Sequence, residues 1–435
     1  MDTLEQYLQK NAAAMPSKPA VICNGEALTY ASLWGRVAEE AKELHAGQVI
    51  PVRALRTADF LVRYFAIHLA GAVALPLEQD IPDAAFESIG QLYKDYTPPA
   101  GTADILYTTG TTGQSKGVMI SAATILADAE NLIGAMDFDK DLVFIINGPL
   151  NHIGSLSKVY PVIMQGGTLN ILEGMKDLNA FFAAVDAAPD KVATFLVPSA
   201  IRMLLGLAKG ELAARSGKFA FIETGAAPMA HSDMLELCRV LPQTRLYNTY
   251  ASTETGICCT YNFNDGECLA GCLGLPMKHS RVFITADGKV ACQGRTLMTG
   301  YAAEPELTAS VLRDGTVYTA DNAYLDEKGR LRLTGRDDDV INIGGFKVAP
   351  SEVEDVALSH PSVKDCICIC EDTELGNMLT LLVVQKEDTP FDKRALAVYM
   401  SQKLERYKVP VRYKQVPSIN RTFNGKLDRK SYRKK

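Results

Sequence analysis

Over its first three quarters the chain alternates two hydrophobic patterns. Short apolar, β-branched or aromatic runs, DLVFIIN (141–147), TLNIL (168–172), VATFLVP (192–198), KFAFIETG (218–225) and RLYNTY (245–250), predict buried strands. Between several of them lie amphipathic stretches such as DLNAFFAAVDAA (177–188) and MAHSDMLELCRVL (229–241), which predict helices. This alternation predicts a large α/β body in several layers, built on a mainly parallel sheet. After about residue 270 the texture becomes β-rich and hairpin-like. GLPMKHSRVFITADGKVACQG and TVYTADNAYLDEKGRLRLTG carry ADG and EKG turns. From about Ser351 two helical patterns flank the strand-like VKDCICIC and LTLLVVQ, which predicts a separate α+β domain of about 95 residues. The charged, glycine-flanked run GRDDDVINIGG (335–345) separates the two parts, so the expected division is 1–337 and 338–435.

Hydrophobic residues make up 47% and charged residues 22% of the 435 positions, which excludes a disordered chain. A net charge of −6 provides no global positive field, so no nucleic-acid partner is expected. The basic ending KSYRKK reads as a solvated terminus. The start, MDTLEQYLQKN, has early acidic residues and lacks the apolar core of a secretory signal. The longest apolar stretch, FAIHLAGAVALPL (65–77), contains His68 and is too short to cross a bilayer. A cytoplasmic protein with no membrane span is therefore expected. Ten cysteines are too dilute for a disulfide scaffold. Cys366, Cys368 and Cys370 are spaced by two, which puts them on one face of a strand as small apolar residues rather than metal ligands. Cys258–Cys259 and Cys268 with Cys272 lack neighbouring histidines and read the same way.

The strongest chemical signal is ILYTTGTTGQSKGVMIS (105–121). A strand-like start runs into four threonines and three glycines, with Lys116 among them. Glycines allow close backbone approach, hydroxyls and N–H groups donate to phosphate oxygens, and lysine adds a mobile positive charge. The order of a Walker A loop is absent.

Four segments in sequence resemble the motifs of the adenylate-forming superfamily of acyl- and aryl-CoA ligases, luciferases and peptide-synthetase adenylation domains. They are the threonine-rich loop, NTYASTETG (248–256), GRDDDVINIGGFKVAPSEVE (335–354) and NGKLDRK (424–430). The resemblance spans nearly the whole chain and implies two half-reactions. A carboxylate attacks the α-phosphorus of ATP, and a thiol then displaces AMP. It also implies roles for individual residues. Thr108, Thr109, Gly110, Thr111, Thr112, Gly113 and Lys116 would clamp the β,γ-phosphates. Thr253 would bind the α-phosphate and Glu254 would hold Mg²⁺. Tyr250 would stack on adenine, with the turn Gly225, Ala226, Ala227, Pro228 on the other face and Asn248 nearby. Asp321 would accept from the ribose hydroxyls, assisted by Arg336. Lys426 would reach the carboxylate and α-phosphate oxygens. The small domain would swing about Asp338, with Gly344 and Gly345 lining the pantetheine tunnel.

The sequence also departs from the family pattern. Ala251 and Ala320 replace glycines beside the adenine and ribose positions, which is tolerable only at negative φ. Asn342 stands where many relatives carry lysine. Only 29 residues separate Pro76 from Ile105, where relatives place a further strand and helix, so a shortened N-terminal subdomain is expected. In PLNHIGSLSKVY (149–160), His152 resembles the residue bordering the acyl pocket, although a core or capping histidine is the alternative. No carboxylate occurs between Asp141 and Glu173, and a buried substrate ammonium would lack a counter-charge there. An α-amino acid is therefore disfavoured. The expected partners are a small carboxylic acid and CoA, or alternatively an acyl carrier protein.

Overall fold

The computed structural model describes residues 3–109, 115–336, 339–343, 346–373, 376–387, 389–422 and 427–432. The five apolar runs form the strands Val143–Ile146, Thr168–Ile171, Val192–Phe195, Phe219–Gly225 and Arg245–Ser252. They lie parallel, in the spatial order 168, 143, 192, 219, 245. Both faces are covered, as parallel sheets require. Phe144 and Phe221 pack into one core cluster, while Val143, Ile145 and Ile222 pack into another on the opposite face. A slip of one residue would exchange the two sets, so this pattern fixes the register.

The hairpin Pro19–Cys23 and Glu26–Thr29 extends one edge of this sheet. At the other edge Gly256–Asn262, Cys272–Pro276, Leu331–Arg336, Thr316–Leu325, Lys289–Gly294 and Ser280–Ile284 continue it in antiparallel fashion. Among the described residues the sheet has 14 strands. The ADG and EKG turns close hairpins as expected.

A second sheet, of five strands, runs Val49–Arg53, Val73–Leu77, Thr102–Thr109, Ser115–Ser121 and Gly300–Tyr301. The short interval after Pro76 holds the helix Asp83–Leu92 and, among the described residues, no further strand.

The C-terminal part folds around the antiparallel strands Val363–Thr373 and Gly376–Gln385 with helices Pro350–Leu358 and Lys393–Ser401. Cys366 and Cys368 are buried in its core and Cys370 packs against it. Two elements here were not anticipated. Arg412–Gln415 adds a parallel third strand, and Ile341–Ile343 pairs with Phe346–Val348 inside the charged run. Ile341 and Val348 join the small core together with Val353 and Leu381. Arg202 of the body links the two parts by donating to Asp233 at 2.8 Å and Asp365 at 3.0 Å. The His231 N–H also donates to Asp355 across the same boundary. No described helix is long and apolar enough to cross a membrane.

Candidate active site

In open α/β sheets, ligands bind beyond the carboxyl ends of the parallel strands, and several predicted site residues gather there. Phe219–Gly225 and Arg245–Ser252 run side by side, with Thr224 opposite Asn248 and Gly225 opposite Thr249. A Cβ at Gly225 would lie 2.8 Å from the Thr249 carbonyl, so only glycine fits. The chain then turns through Ala226, a left-handed residue at φ 65° that is exposed to solvent. An alanine held in that region stores backbone strain, a feature that concentrates at binding sites. Neither Ala251 nor Ala320 is at positive φ, so their extra methyl groups are accommodated.

Tyr250 is 5% exposed, and its hydroxyl donates to Asp321 Oδ2 at 2.7 Å. This bond joins the predicted adenine and ribose residues. Burial pushes the Tyr250 phenol up, and the Asp321 charge adds to that, so it remains a donor. Arg336 lies opposite Asp321 in the strand register; its side chain is outside the described residues. Asn248 is buried and spends its amide on the Cys272 carbonyl at 3.1 Å, bracing the neighbouring strand.

Thr253 and Glu254 occupy the turn 253–255 between the antiparallel strands Arg245–Ser252 and Gly256–Asn262. Ser252 and Thr255 cap each other across it, each N–H donating to the other's hydroxyl at 3.1 Å. Gly256, at φ 66°, lies where a Cβ would strike the Thr296 carbonyl and the Asp128 carboxylate. Asp128 Oδ1 accepts from Ile257 N–H at 2.8 Å and so fixes the far end of the turn. Burial raises the Asp128 carboxyl to about 7, against the opposing pull of that N–H and of Lys158.

On the facing sheet, Thr108 pairs with Lys116 across the strands that flank the threonine-rich loop. Gly110, Thr111, Thr112 and Gly113 lie outside the described residues, as does the Thr109 side chain. Lys116 Nζ sits 5.7 Å from the Tyr301 ring centre, and the Tyr301 hydroxyl donates to Glu254 Oε1 at 3.0 Å. The predicted phosphate lysine and metal carboxylate thus meet on one tyrosine. Among the described residues no hydrogen bond reaches Glu254 Oε2. One open carboxylate oxygen suits Mg²⁺, which usually takes one or two carboxylates plus phosphates and water.

His152 takes the N-cap position of the helix Ile153–Gln165, with no side-chain capping bond. Two turns along that helix, Lys158 pairs with Glu223 at 2.8 Å, with both side chains 1% exposed. Phe195 stands between the helix and the turn that follows Gly225, within 3.2 Å of a Cβ built on Gly154 and 3.6 Å of one on Gly225.

Lys426, Asp338, Gly344 and Gly345 are outside the described residues. The flanks of the lysine motif are secured. Arg429 donates to both Glu354 oxygens, at 2.7 and 2.6 Å, and Leu427 packs beside Ile367 and Ile419. Burial raises the Glu354 carboxyl, against the Arg429 charge.

Tyr301, Asp128 and Glu354 were not recognised from sequence as parts of the site. Each is an isolated residue whose partner is distant along the chain. Only Glu354, inside a motif-like segment, had any local signal.

The model of the family described as "AMP-binding enzyme" matches residues 90–302, and that of "AMP-binding enzyme C-terminal domain" matches residues 352–426. Feruloyl-CoA synthase from an Amycolatopsis species is 27% identical over 96% of both chains. The 2-succinylbenzoate–CoA ligase of Bacillus mycoides (strain KBAB4) is 24% identical, covering 100% of this chain and 99% of that one. ATP-bound MatB from Rhodopseudomonas palustris superposes with a TM-score of 0.87 at 22% identity, over 99% of each chain. The o-succinylbenzoate CoA synthetase of Bacillus subtilis, with its acyl-adenylate bound, gives 0.83 at 22%, covering 99% of this chain and 98% of that one. With the two family models matched in order, the first across the strand ends just described and the second across the C-terminal part, the chain belongs to the adenylate-forming AMP-binding enzymes.

Proposed function

We propose that this protein is an AMP-forming acid–thiol ligase that converts an acyl or aryl carboxylic acid into its CoA thioester. The supporting observation is the convergence of the nucleotide motifs, with Tyr250 on Asp321 and with Glu254 and Lys116 on Tyr301. In the first half-reaction a carboxylate oxygen bonds to the α-phosphorus of ATP while the bond to pyrophosphate breaks. In the second, the thiol loses its proton, its sulfur bonds to the acyl carbon, and AMP departs.

The protein's task is to hold two anions together and to neutralise developing charge. Asp321 and Arg336 hold the ribose, and the turn at Gly225, Ala226 and Ala227 faces adenine. Thr108 to Lys116 clamp the outer phosphates, and Thr253 takes the α-phosphate. Glu254 would hold Mg²⁺, which when bound would supply further neutralisation of the phosphate charge. Lys426 spans the carboxylate and the α-phosphate. The hydrogen-bonded Tyr250–Asp321 pair supports recognition of an adenosine moiety by fixing the carboxylate that meets the ribose.

We divide the chain into an ATP- and acyl-binding domain, 1–337, and a mobile domain, 338–435, turning about Asp338. Gly344 and Gly345 then line the thiol path, and His152 borders the acid. The ten cysteines, all free, suit a reducing cytoplasm.

The test is pyrophosphate release over a panel of aryl, dicarboxylic and fatty acids, repeated with CoA and with a phosphopantetheinylated carrier protein. An acid that releases pyrophosphate and yields an acyl-CoA supports the reading. Transfer to the carrier alone would replace CoA as acceptor. ATP binding with no acid turned over would refute ligase activity.

A further inference from the structure

Tyr301 belongs to the two-residue strand Gly300–Tyr301, which pairs with Ser115–Ser121 and sets Tyr301 opposite Val118. The next N–H, of Ala302, donates to the Gly117 carbonyl at 2.8 Å, and Tyr301 N–H donates to Thr308 Oγ1 at 2.8 Å. The residue is thus fastened beside the threonine-rich hairpin and is 5% exposed. A second fastening ties the opposite partner to the same place, because Met298 N–H donates to the Glu254 carbonyl at 2.9 Å. Between these anchors, the phenol donates to Glu254 Oε1 and the ring lies under Lys116 Nζ.

We propose that Tyr301 is a positioning residue for the metal–triphosphate site. It occupies one oxygen of Glu254, leaving the other to ligate Mg²⁺, and gives the Lys116 ammonium a resting place on its ring until phosphate arrives. The inference rests on the reading of Glu254 as the metal-holding carboxylate. Two features of the site support it. The phenol that meets Glu254 Oε1 at 3.0 Å belongs to a residue whose own N–H and whose neighbour's N–H are both bonded, so the donor is held in place before any ligand arrives. An aromatic face holds an ammonium weakly enough to release it to a triphosphate.

Tyr301→Phe keeps the ring and removes the hydrogen bond. Binding is read without turnover, as the Mg²⁺ concentration giving half of the ATP-induced thermal stabilisation and as Mn²⁺ binding to the ATP complex by paramagnetic resonance. The Mg²⁺ requirement should rise roughly tenfold, the scale of losing a residue that orients a metal ligand. The melting temperature of the unliganded protein should stay unchanged. Glu254→Gln, measured alongside, should raise the requirement at least as much, and the double variant should be no worse than Glu254→Gln alone, because Tyr301 acts through Glu254. A wild-type Mg²⁺ requirement in Tyr301→Phe beside a raised one in Glu254→Gln would overturn the positioning role while sparing the metal reading. If neither variant moves it, Glu254 is not a ligand and both readings fall. Tyr301→Leu, which also removes the ring, should further weaken stabilisation by ATP without metal. Equality with Tyr301→Phe would overturn the resting place for Lys116.

Discussion

His68 interrupts an otherwise apolar stretch, and the structure makes it the centre of a buried charge cluster. Its Nδ1 meets Glu5 Oε1 at 3.2 Å and its Nε2 meets Asp104 Oδ1 at 3.0 Å, with all three side chains at most 6% exposed. Tyr64 donates to the other Asp104 oxygen at 2.8 Å. Burial alone would discharge the imidazole, but the adjacent Asp104 and Glu5 carboxylates overcome it and raise the His68 pKa to about 10. The folded pKa lies above the unfolded value of about 6.5, so the stabilisation is complete below that value. It is lost as pH rises toward 10. Replacing His68 by leucine leaves two buried carboxylates without their cation, which costs about 3–5 kcal/mol. The measurement is urea denaturation of wild type and His68→Leu, followed by fluorescence of Trp34, the only tryptophan. Trp34 lies on the helix Tyr30–Glu40, which packs beside the helix Leu4–Ala14 that carries Glu5. The difference in stability should be largest at about pH 6.5, already be falling at neutrality, and shrink by about 3 kcal/mol between pH 7.5 and 10, as wild type loses the same proton. A difference below about 1 kcal/mol at pH 7.5, or one that does not change with pH, would refute a charged His68.

Three further outcomes are expected. Lys426→Ala should cut pyrophosphate release by roughly 100-fold or more while sparing thioester formation from supplied acyl-adenylate, since the cation is needed only as charge builds on the α-phosphate; equal loss of both half-reactions would remove that role. Asp338→Pro fixes φ near −65° and restricts the preceding residue, so acyl-CoA formation should fall by orders of magnitude while single-turnover pyrophosphate release survives; wild-type rates in both would exclude rotation about this residue. Asp365→Asn weakens the bond from Arg202, at 3.0 Å, that links the C-terminal part to the body in the observed pose, along with a bond from Arg421, at 2.6 Å, inside the C-terminal part; losing the charge-assisted bond from Arg202, about 1.5–3 kcal/mol, should change the ratio of the two half-reaction rates roughly tenfold, and an unchanged ratio would show that the contact does not set the pose.

The body of the fold was legible because its parallel strands are buried on both faces and so read as unbroken apolar runs. Elements stabilised from outside their own sequence were not. Arg412–Gln415 is a polar RYKQ segment at the edge of the small sheet, half-buried at most, and pairing with Thr380–Val383 makes it a strand. The hairpin at 341–348 lies in a charged run; among its described residues Ile341 and Val348 enter the core and Ile343 packs against it. The nucleotide motifs were legible because loops that touch phosphate backbone need particular small and hydroxylated residues at fixed spacing. Tyr301 and His68 could not be read in this way. A single tyrosine or histidine has no periodicity, and what each does depends on a carboxylate 47 or 36 positions away.

The distribution of buried charge follows from how this site is built. Apolar packing grips the middle of a strand, but the motif residues sit at strand ends and in turns, where there is little apolar surface to hold them. Near each of these places a buried carboxylate makes directional bonds. Asp104 braces the strand that enters the threonine-rich hairpin. Asp128 pins Ile257 just after the turn with Thr253 and Glu254. Glu223 ties the strand that ends at Gly225 to Lys158, and Glu354 holds Arg429 within the lysine motif. A buried ion is expensive to desolvate and is weak evidence of added stability. Its bonds have fixed lengths and angles, whereas apolar contacts can slide. Four carboxylates on four separate elements therefore do what the hydrophobic core cannot: they hold the ends of those elements in one arrangement around a highly charged ligand.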